Sequence, residues 1–339
     1  MDAFSVAVRR RPGNPRFLSC LASALARADR AALAAQTAEQ VLALAPDHVP
    51  AMQTLAVLRL KSGADEPRQE TFDRILAIDP EFIPARHQRG LVLAALDRHD
   101  LAVEDFTRIL RVLPKCAVVL IRRGEGQLAR RNLGSALDDL NAGLAIQPDH
   151  EDGLRARAAT LTWLRQNDGA LADLERLLAL DPAREQTHLD RIRLLRALDR
   201  KALAALAADD GVKALPHSVE ILFERADLNQ AGPLEPVLRD LDEIERLKPD
   251  DPRALDLRLT VLLRHGKNDE LYQLSDRILA TNPDHAHALF WRSTAQFRNR
   301  SFADALAGFE RVIQLAPADS WLSNSAAQCV AEIRRRSPK

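Results

Sequence analysis

The sequence predicts an all-α protein, built as a solenoid of stacked antiparallel helix pairs. Prolines recur in steps of 34 residues, with a single step of 33, at Pro46, Pro80, Pro114, Pro148, Pro182, Pro216, Pro249, Pro283 and Pro317. Two runs of helical periodicity lie between successive prolines, and no segment shows the alternation typical of a strand. A fixed period of this length is typical of repeat arrays, in which each repeat packs only against its neighbours.

Each period contains two helices separated by a polar break. In the third period the apolar runs cover roughly residues 85–96 and 101–112, and Asp97-Arg98-His99-Asp100 separates them. The second run ends just before the proline, because proline cannot continue a helix and disfavours helical geometry in the residue before it. Each period therefore predicts a pair of helices of about 12–14 residues.

Residues at fixed places in the period resemble the tetratricopeptide repeat. A small residue stands in the first helix, followed by an alanine and a large apolar residue in the second: Gly90, Ala102 and Phe106; Gly124, Ala136 and Leu140; Ala158, Ala170 and Leu174; Ser293, Ala305 and Phe309. The small residues allow the helices to approach closely, and the large residue fills the space between repeats. The resemblance covers essentially the whole chain and implies a right-handed superhelix.

The proline register also predicts how the chain is divided. A half repeat that supplies only a second helix occupies residues 1–14, and a C-terminal solvating helix with a basic tail occupies 320–339. Nine repeats lie between them, at 15–48, 49–82, 83–116, 117–150, 151–184, 185–218, 219–251, 252–285 and 286–319. The half repeat fits truncation or a short cap, and alternatively an end that docks on a partner. Gly211 and the short seventh repeat suggest a hinge or a change of curvature within 205–236.

Composition argues against several classes of function. Lys plus Arg and Asp plus Glu balance at 48 each, so the chain lacks the overall basic charge of a nucleic-acid-binding protein. No apolar run reaches 18 residues and no leader is visible, so we expect no membrane insertion and a cytoplasmic location. The three cysteines are too scattered for a metal site or a disulfide framework. Arginine greatly outnumbers lysine, which suggests a bacterial source.

Motifs that could indicate chemistry have simpler explanations, so the sequence predicts neither an enzyme nor a cofactor. Gly124-Glu125-Gly126 begins the letters of a dinucleotide fingerprint, but that motif works only where a strand turns into a helix, and here it falls inside a predicted helix. His285 and His287 could suggest a metal pair. A histidine recurs at the same turn in other repeats, however, which favours a polar turn residue.

Charged residues also follow the repeat. One slot of the first helix holds Arg89, Arg123, Arg157, Arg191, Arg225, Arg258 and Arg292, and a slot of the second helix holds Asp105, Asp139, Asp173 and Asp240. These columns could form Arg–Asp pairs between packed helices, or the arginines could bind an acidic peptide. The matching aspartates favour the pairs, because the planar guanidinium suits bidentate contact with a carboxylate.

The resemblance implies that the first helices line a concave groove, which holds an extended or helical segment of a partner. The corresponding residues are Val57, Leu60, Leu91, Ile121, Leu128, Trp163, Arg193, Arg196, Phe223, Arg264, Phe290, Thr294 and Phe297. The Lys and Asn clamp that some family members use for chaperone tails is not reproduced. We therefore expect a non-enzymatic scaffold or adaptor that binds a protein or peptide partner. The alternative is a regulatory or substrate-presenting module of a larger enzyme, for instance one linked to a glycosyltransferase or sulfotransferase.

Overall fold

The computed structural model describes residues 2–60, 65–249 and 251–336, and these residues form helices joined by short turns, with no strand among them. The helices are α1 (Asp2–Arg10), α2 (Pro15–Arg27), α3 (Ala31–Leu44), α4 (Val49–Leu60), α5 (Asp65–Ile78), α6 (Ile83–Ala95), α7 (His99–Val112), α8 (Ala117–Ala129), α9 (Leu133–Ile146), α10 (Glu151–Trp163), α11 (Asn167–Leu180), α12 (Glu185–Ala197), α13 (Lys201–Ala214), α14 (Val219–Leu228), α15 (Leu234–Leu247), α16 (Pro252–Arg264), α17 (Asn268–Thr281), α18 (Ala286–Arg298), α19 (Phe302–Leu315) and α20 (Trp321–Arg336). The predicted all-α fold is confirmed.

The helices group into two compact units, Met1–Leu180 and Asp181–Lys339. In the N-terminal unit, α1 packs on α2, and the pairs α2/α3, α4/α5, α6/α7, α8/α9 and α10/α11 follow in chain order. In the C-terminal unit, the pairs run from α12/α13 to α18/α19, and α20 packs on the last pair. The boundary between the units follows Leu180, and α13 continues through Gly211, while the hinge or change of curvature suggested within 205–236 stays a prediction.

The turn inside most helix pairs has a left-handed residue. Asp29, Asp97, Arg131, Arg165, Asp199, Gly266 and Arg300 have φ between 56° and 70°. After Asp97, for example, the N–H of Arg98 donates to the carbonyl of Leu93 at 2.8 Å, which closes the end of α6. Only one of these seven positions is glycine, although the left-handed backbone region disfavours every other residue type relative to glycine.

Close packing explains the small residues in the first helices. A Cβ added to Gly124 would lie 2.8 Å from Leu140 Cγ, a distance that real Cβ atoms do not tolerate. Gly124 lies in the middle of α8, so the letters of the dinucleotide fingerprint fall within a helix, as expected. The glycine is therefore required by the contact between α8 and α9.

The arginine column pairs with the aspartate column. Arg89, Arg123, Arg157 and Arg225 each hold both oxygens of one carboxylate, on Asp105, Asp139, Asp173 and Asp240 respectively, at 2.5–2.8 Å. All four aspartates are buried. The predicted pairing of the two columns is confirmed at these positions.

Each of these guanidiniums also reaches the second helix of the preceding pair. Arg89 contacts Asp73 at 2.7 Å, and Arg157 contacts Asn141 at 3.0 Å. Arg258 and Arg292 make the backward contact, to Asp242 at 2.6 Å and Asp276 at 3.2 Å. Arg89, Arg123, Arg157 and Arg225 thus connect their first helices to the second helices on both sides, whereas Arg258 and Arg292 contact the preceding second helix.

Candidate functional site

A cavity of about 440 Å³ opens on the first helices of the N-terminal unit. Its walls come from α4, α6 and the start of α8, and Val57, Pro84 and Val118 are among the residues that line it. Phe72 of α5 and Ile109 of α7 form part of the lining from the buried core. An apolar cavity with few polar groups is the usual form of a site for an apolar side chain.

The imidazole of His87 lines the wall of this cavity. Burial, reinforced by the nearby positive charge of Arg122, lowers the pKa of its imidazole below the ordinary value. The ring lies 6.1 Å from that of Phe106, centroid to centroid. The lowered pKa favours the neutral form of the His87 imidazole in this wall.

The groove residues predicted in the N-terminal unit differ in accessibility. Val57 is 47% exposed, whereas Ile121 is fully buried in the core of its repeat. Leu91 and Leu128 are half-buried and pack against core clusters. The side chain of Leu60 lies outside the described residues. Fewer residues therefore contribute accessible apolar surface here than the sequence predicted.

Trp163 is the most exposed of the predicted residues with a large apolar side chain, at 58%. It ends α10, and the guanidinium carbon of Arg131 lies 4.0 Å from the centroid of its ring. This distance is typical of a cation–π contact.

A charged row crosses α8 and α10 beside these apolar residues. Arg122 donates to Glu125 at 2.8 Å and to Asp152 at 3.0 Å, and Arg155 pairs with the same aspartate. Burial raises the pKa of the Glu125 carboxyl above its ordinary value, although Arg122 opposes the shift. The charges of the row are thus compensated within the groove.

In the C-terminal unit the predicted groove residues mostly contact other residues of the chain. Arg196 donates to Glu224 at 2.5 Å and to Asp227 at 2.7 Å, and Arg193 donates to Glu224 at 3.3 Å. Phe223 lies beneath the guanidinium of Arg253, at 5.0 Å from the ring centroid. These partners belong to the next first helix along the chain, so the contacts join α12 to α14 and α14 to α16.

The remaining predicted residues lie toward the end of the C-terminal unit. Phe290 is buried, and its ring lies 5.5 Å from that of Trp321. The hydroxyl of Thr294 donates to the carbonyl of Phe290, and Phe297 packs against the ring of Phe302. Arg264 is exposed. Phe290 therefore contributes to the core rather than to an accessible surface.

Two surface features were not predicted from the sequence. Trp321, at the start of α20, is 61% exposed. The helix α20 follows the last pair as a first helix would, so the repeat register could have indicated Trp321 from the sequence. A crevice of about 590 Å³ also opens between α15, α16 and α17, lined by Glu245 and Arg277 among others. Glu245 stands where other repeats carry Leu110 or Leu144, and that exchange was visible in the sequence.

The described residues contain no cluster of three or more His, Cys, Asp or Glu side chains arranged to hold a metal ion. His285 caps α18 by accepting from the N–H of Ala288 at 3.1 Å, and His150 caps α10 in the same way, as expected of polar turn residues. Within the described parts of the chain, every helix is too short or too polar to span a bilayer.

The helix pairs, each packed on the next in chain order within its unit, define a helical-repeat fold. A family model described as tetratricopeptide repeat matches residues 273–320, which include most of α17, all of α18 and all of α19. Searched against curated proteins, the sequence finds no match.

Several solved structures resemble this chain, and the fold is shared with YrrB, whose TM-score is 0.50. YrrB, described as a TPR protein with an unusual peptide-binding site, is 18% identical, with a TM-score of 0.50 over 58% of this chain and 98% of that one. A tetratricopeptide repeat protein from Parabacteroides merdae is 17% identical, with a TM-score of 0.46 over 74% of this chain and 98% of that one. The TPR domain of P58(IPK) is 16% identical, with a TM-score of 0.33 over 96% of this chain and 99% of that one.

Proposed function

We propose that this chain is a non-enzymatic scaffold or adaptor, which holds a peptide or helical segment of a partner protein against the first helices of the N-terminal unit. The observation that carries the proposal is the apolar cavity of about 440 Å³ beside the exposed side chain of Val57. Exposed apolar surface around a preformed cavity costs solubility, and it is typical of a surface that another molecule covers.

The contrast between the two units supports this location. In the C-terminal unit, Arg193 and Arg196 already bind carboxylates of the neighbouring helix, and Phe290 is buried. A partner would have to displace these contacts, which would cost binding energy. In the N-terminal unit the cavity wall is apolar, and a partner's side chain can enter it without breaking an ion pair. The peptide-binding site described for YrrB is consistent with a peptide as the occupant.

The experiment is selection of displayed random peptides on the full chain, followed by affinity measurement with the selected peptides. Val57→Asp should weaken their binding about tenfold or more, because the cavity would then have to desolvate a carboxylate without a partner. Leu101→Asp is the matched control, since Leu101 is exposed on the second helix α7 and does not line the cavity.

Circular dichroism establishes that both variants remain folded. Equal binding by Val57→Asp, Leu101→Asp and the wild type would refute this placement of the site, and a failure to select any peptide would refute peptide binding itself.

A further inference from the structure

The side chain of Arg131 is held in place but its hydrogen-bond donors are unused. Its guanidinium lies over the ring of Trp163, and no carboxylate or other acceptor binds it among the described residues. Its neighbour Arg130 pairs with Asp100, and Arg123 and Arg157 hold both oxygens of an aspartate. Arg131 is thus an ordered cation with free donors on an exposed surface.

The stacked geometry leaves those donors available. A cation–π contact uses the flat face of the guanidinium, whereas bidentate binding of a carboxylate uses N–H groups at its edge. The two contacts can therefore exist together. The ring of Trp163 would hold the guanidinium of Arg131 with its edge N–H groups directed toward an incoming anion.

The surroundings favour an anion that carries apolar surface. Arg165 follows Trp163 by two residues, and it has no carboxylate partner among the described residues, so a second arginine stands close to Trp163 along the chain. Trp163 itself offers more than half of its surface to solvent. Exposed Trp and Arg side chains in contact with each other are the residue types that contribute most to binding at protein interfaces.

We infer that Trp163 and Arg131 bind an acidic residue that stands next to an apolar residue in the partner segment. The carboxylate accepts hydrogen bonds from the edge of Arg131, and the apolar side chain lies on the indole of Trp163. The inference rests on the proposed function, since it specifies the chemistry of the segment that the N-terminal groove holds. It also gives that segment a second anchor, in addition to the side chain that enters the cavity at Val57.

The test uses peptides selected from a random display library on the wild-type chain and, in parallel, on Arg131→Gln. Wild-type selections should be enriched in Asp or Glu adjacent to a large apolar residue, and the Arg131→Gln selections should lose the acidic preference but keep the apolar one. Arg108→Gln is the matched control, because Arg108 is an exposed arginine of α7 that pairs with Glu104. Its selections should match those of the wild type.

A double-mutant cycle then tests direct contact. Exchanging the acidic residue of a selected peptide for its amide should weaken binding to the wild type about tenfold, and Arg131→Gln should weaken the unaltered peptide by a similar factor. Combining the two changes should cause little further loss. Trp163→Ala should also weaken binding about tenfold.

The outcomes separate the two levels of the hypothesis. Apolar peptides without an acidic preference, or independent effects in the cycle, would overturn the role of Arg131 while the proposed function stands. An absence of selectable peptides would overturn both. Self-association of the wild type in sedimentation velocity, lost in Trp163→Ala, would show a second copy as the occupant and would also overturn the inference.

Discussion

Replacing Arg157 by leucine should destabilise the chain by about 2–3 kcal/mol. Arg157 donates to both oxygens of Asp173, at 2.8 and 2.6 Å, and only 5% of the Asp173 side chain is exposed. These hydrogen bonds raise the pKa of the guanidinium, so Arg157 carries its charge at any ordinary pH. Removing one partner of a buried ion pair costs about 3–5 kcal/mol, because the other charge remains desolvated. Arg157 is 26% exposed, so water can enter in its place and reduce that cost.

The same slot elsewhere in the chain supplies the matched control. Arg258 contacts Asp242 at 2.6 Å, but the carboxylate is 66% exposed and remains hydrated when the arginine is lost. Arg258→Leu should therefore cost less than about 1 kcal/mol. In Arg157→Leu/Asp173→Asn the buried group is neutral, so this double variant should recover at least half of the stability lost in Arg157→Leu.

The assay combines urea unfolding with hydrogen exchange of α10 and α11, because a repeat array can open in parts. The single variant should lose protection in these two helices before the others. Equal losses of stability in Arg157→Leu and Arg258→Leu would refute the argument from burial. A double variant as unstable as Arg157→Leu would show that the charge of Asp173 is not the cause.

Three further predictions concern stability, each measured by urea unfolding. Arg300→Gly should stabilise by about 0.5–1 kcal/mol, because φ is 64° at this turn residue. Gly124→Ala should destabilise by about 1–3 kcal/mol, since its Cβ would meet a leucine of α9 at 2.8 Å, whereas Gly134→Ala, with open space around it, should be neutral or slightly stabilising. The hydrogen bond to Asp256 raises the pKa of His287 above 6.5, so this pair should stabilise the fold fully below pH 6.5 and progressively less as pH rises through the raised pKa.

Each of these predictions has a result that would contradict it. If Arg300→Gly lost stability, the arginine side chain would have to make a contact that stabilises the fold by more than the backbone strain at this turn destabilises it. Equal effects at the two glycines would remove the packing argument for Gly124. For His287, the pH-dependent component should disappear in Asp256→Asn, and its persistence there would assign it to another group.

The repetitive features of the fold were predictable because they depend on local sequence. A proline ends a helix through its own geometry, and a small residue at the place of Gly124 permits close packing wherever the repeat places it. The arginine and aspartate columns share the same period, so they had to meet if the repeats stacked in register. Each of these residue types recurs at one interval along the chain, so the pattern can be recognised from the single sequence.

The candidate site was less predictable. Val57 and Ile121 were equivalent members of the predicted groove, but the first is exposed beside a cavity and the second is fully buried. Small rotations of a helix about its axis decide between these states, and the periodic pattern does not specify rotations so finely. The contact of Arg131 with Trp163 joins a turn residue of one repeat to the last residue of α10 in the next, and the residue types at these two places differ between repeats.

The sequence alone determined the helix pairs, their register and the pairing of the two charged columns, because these follow from local propensities repeated at one interval. The tertiary structure decided which inner residues are accessible. It directs Arg193 and Arg196 to carboxylates of the next first helix, and it leaves Val57 and Trp163 exposed to solvent. The physical reason is competition for contacts: a side chain is available to a partner only when no neighbour about 30 residues along the chain satisfies it first.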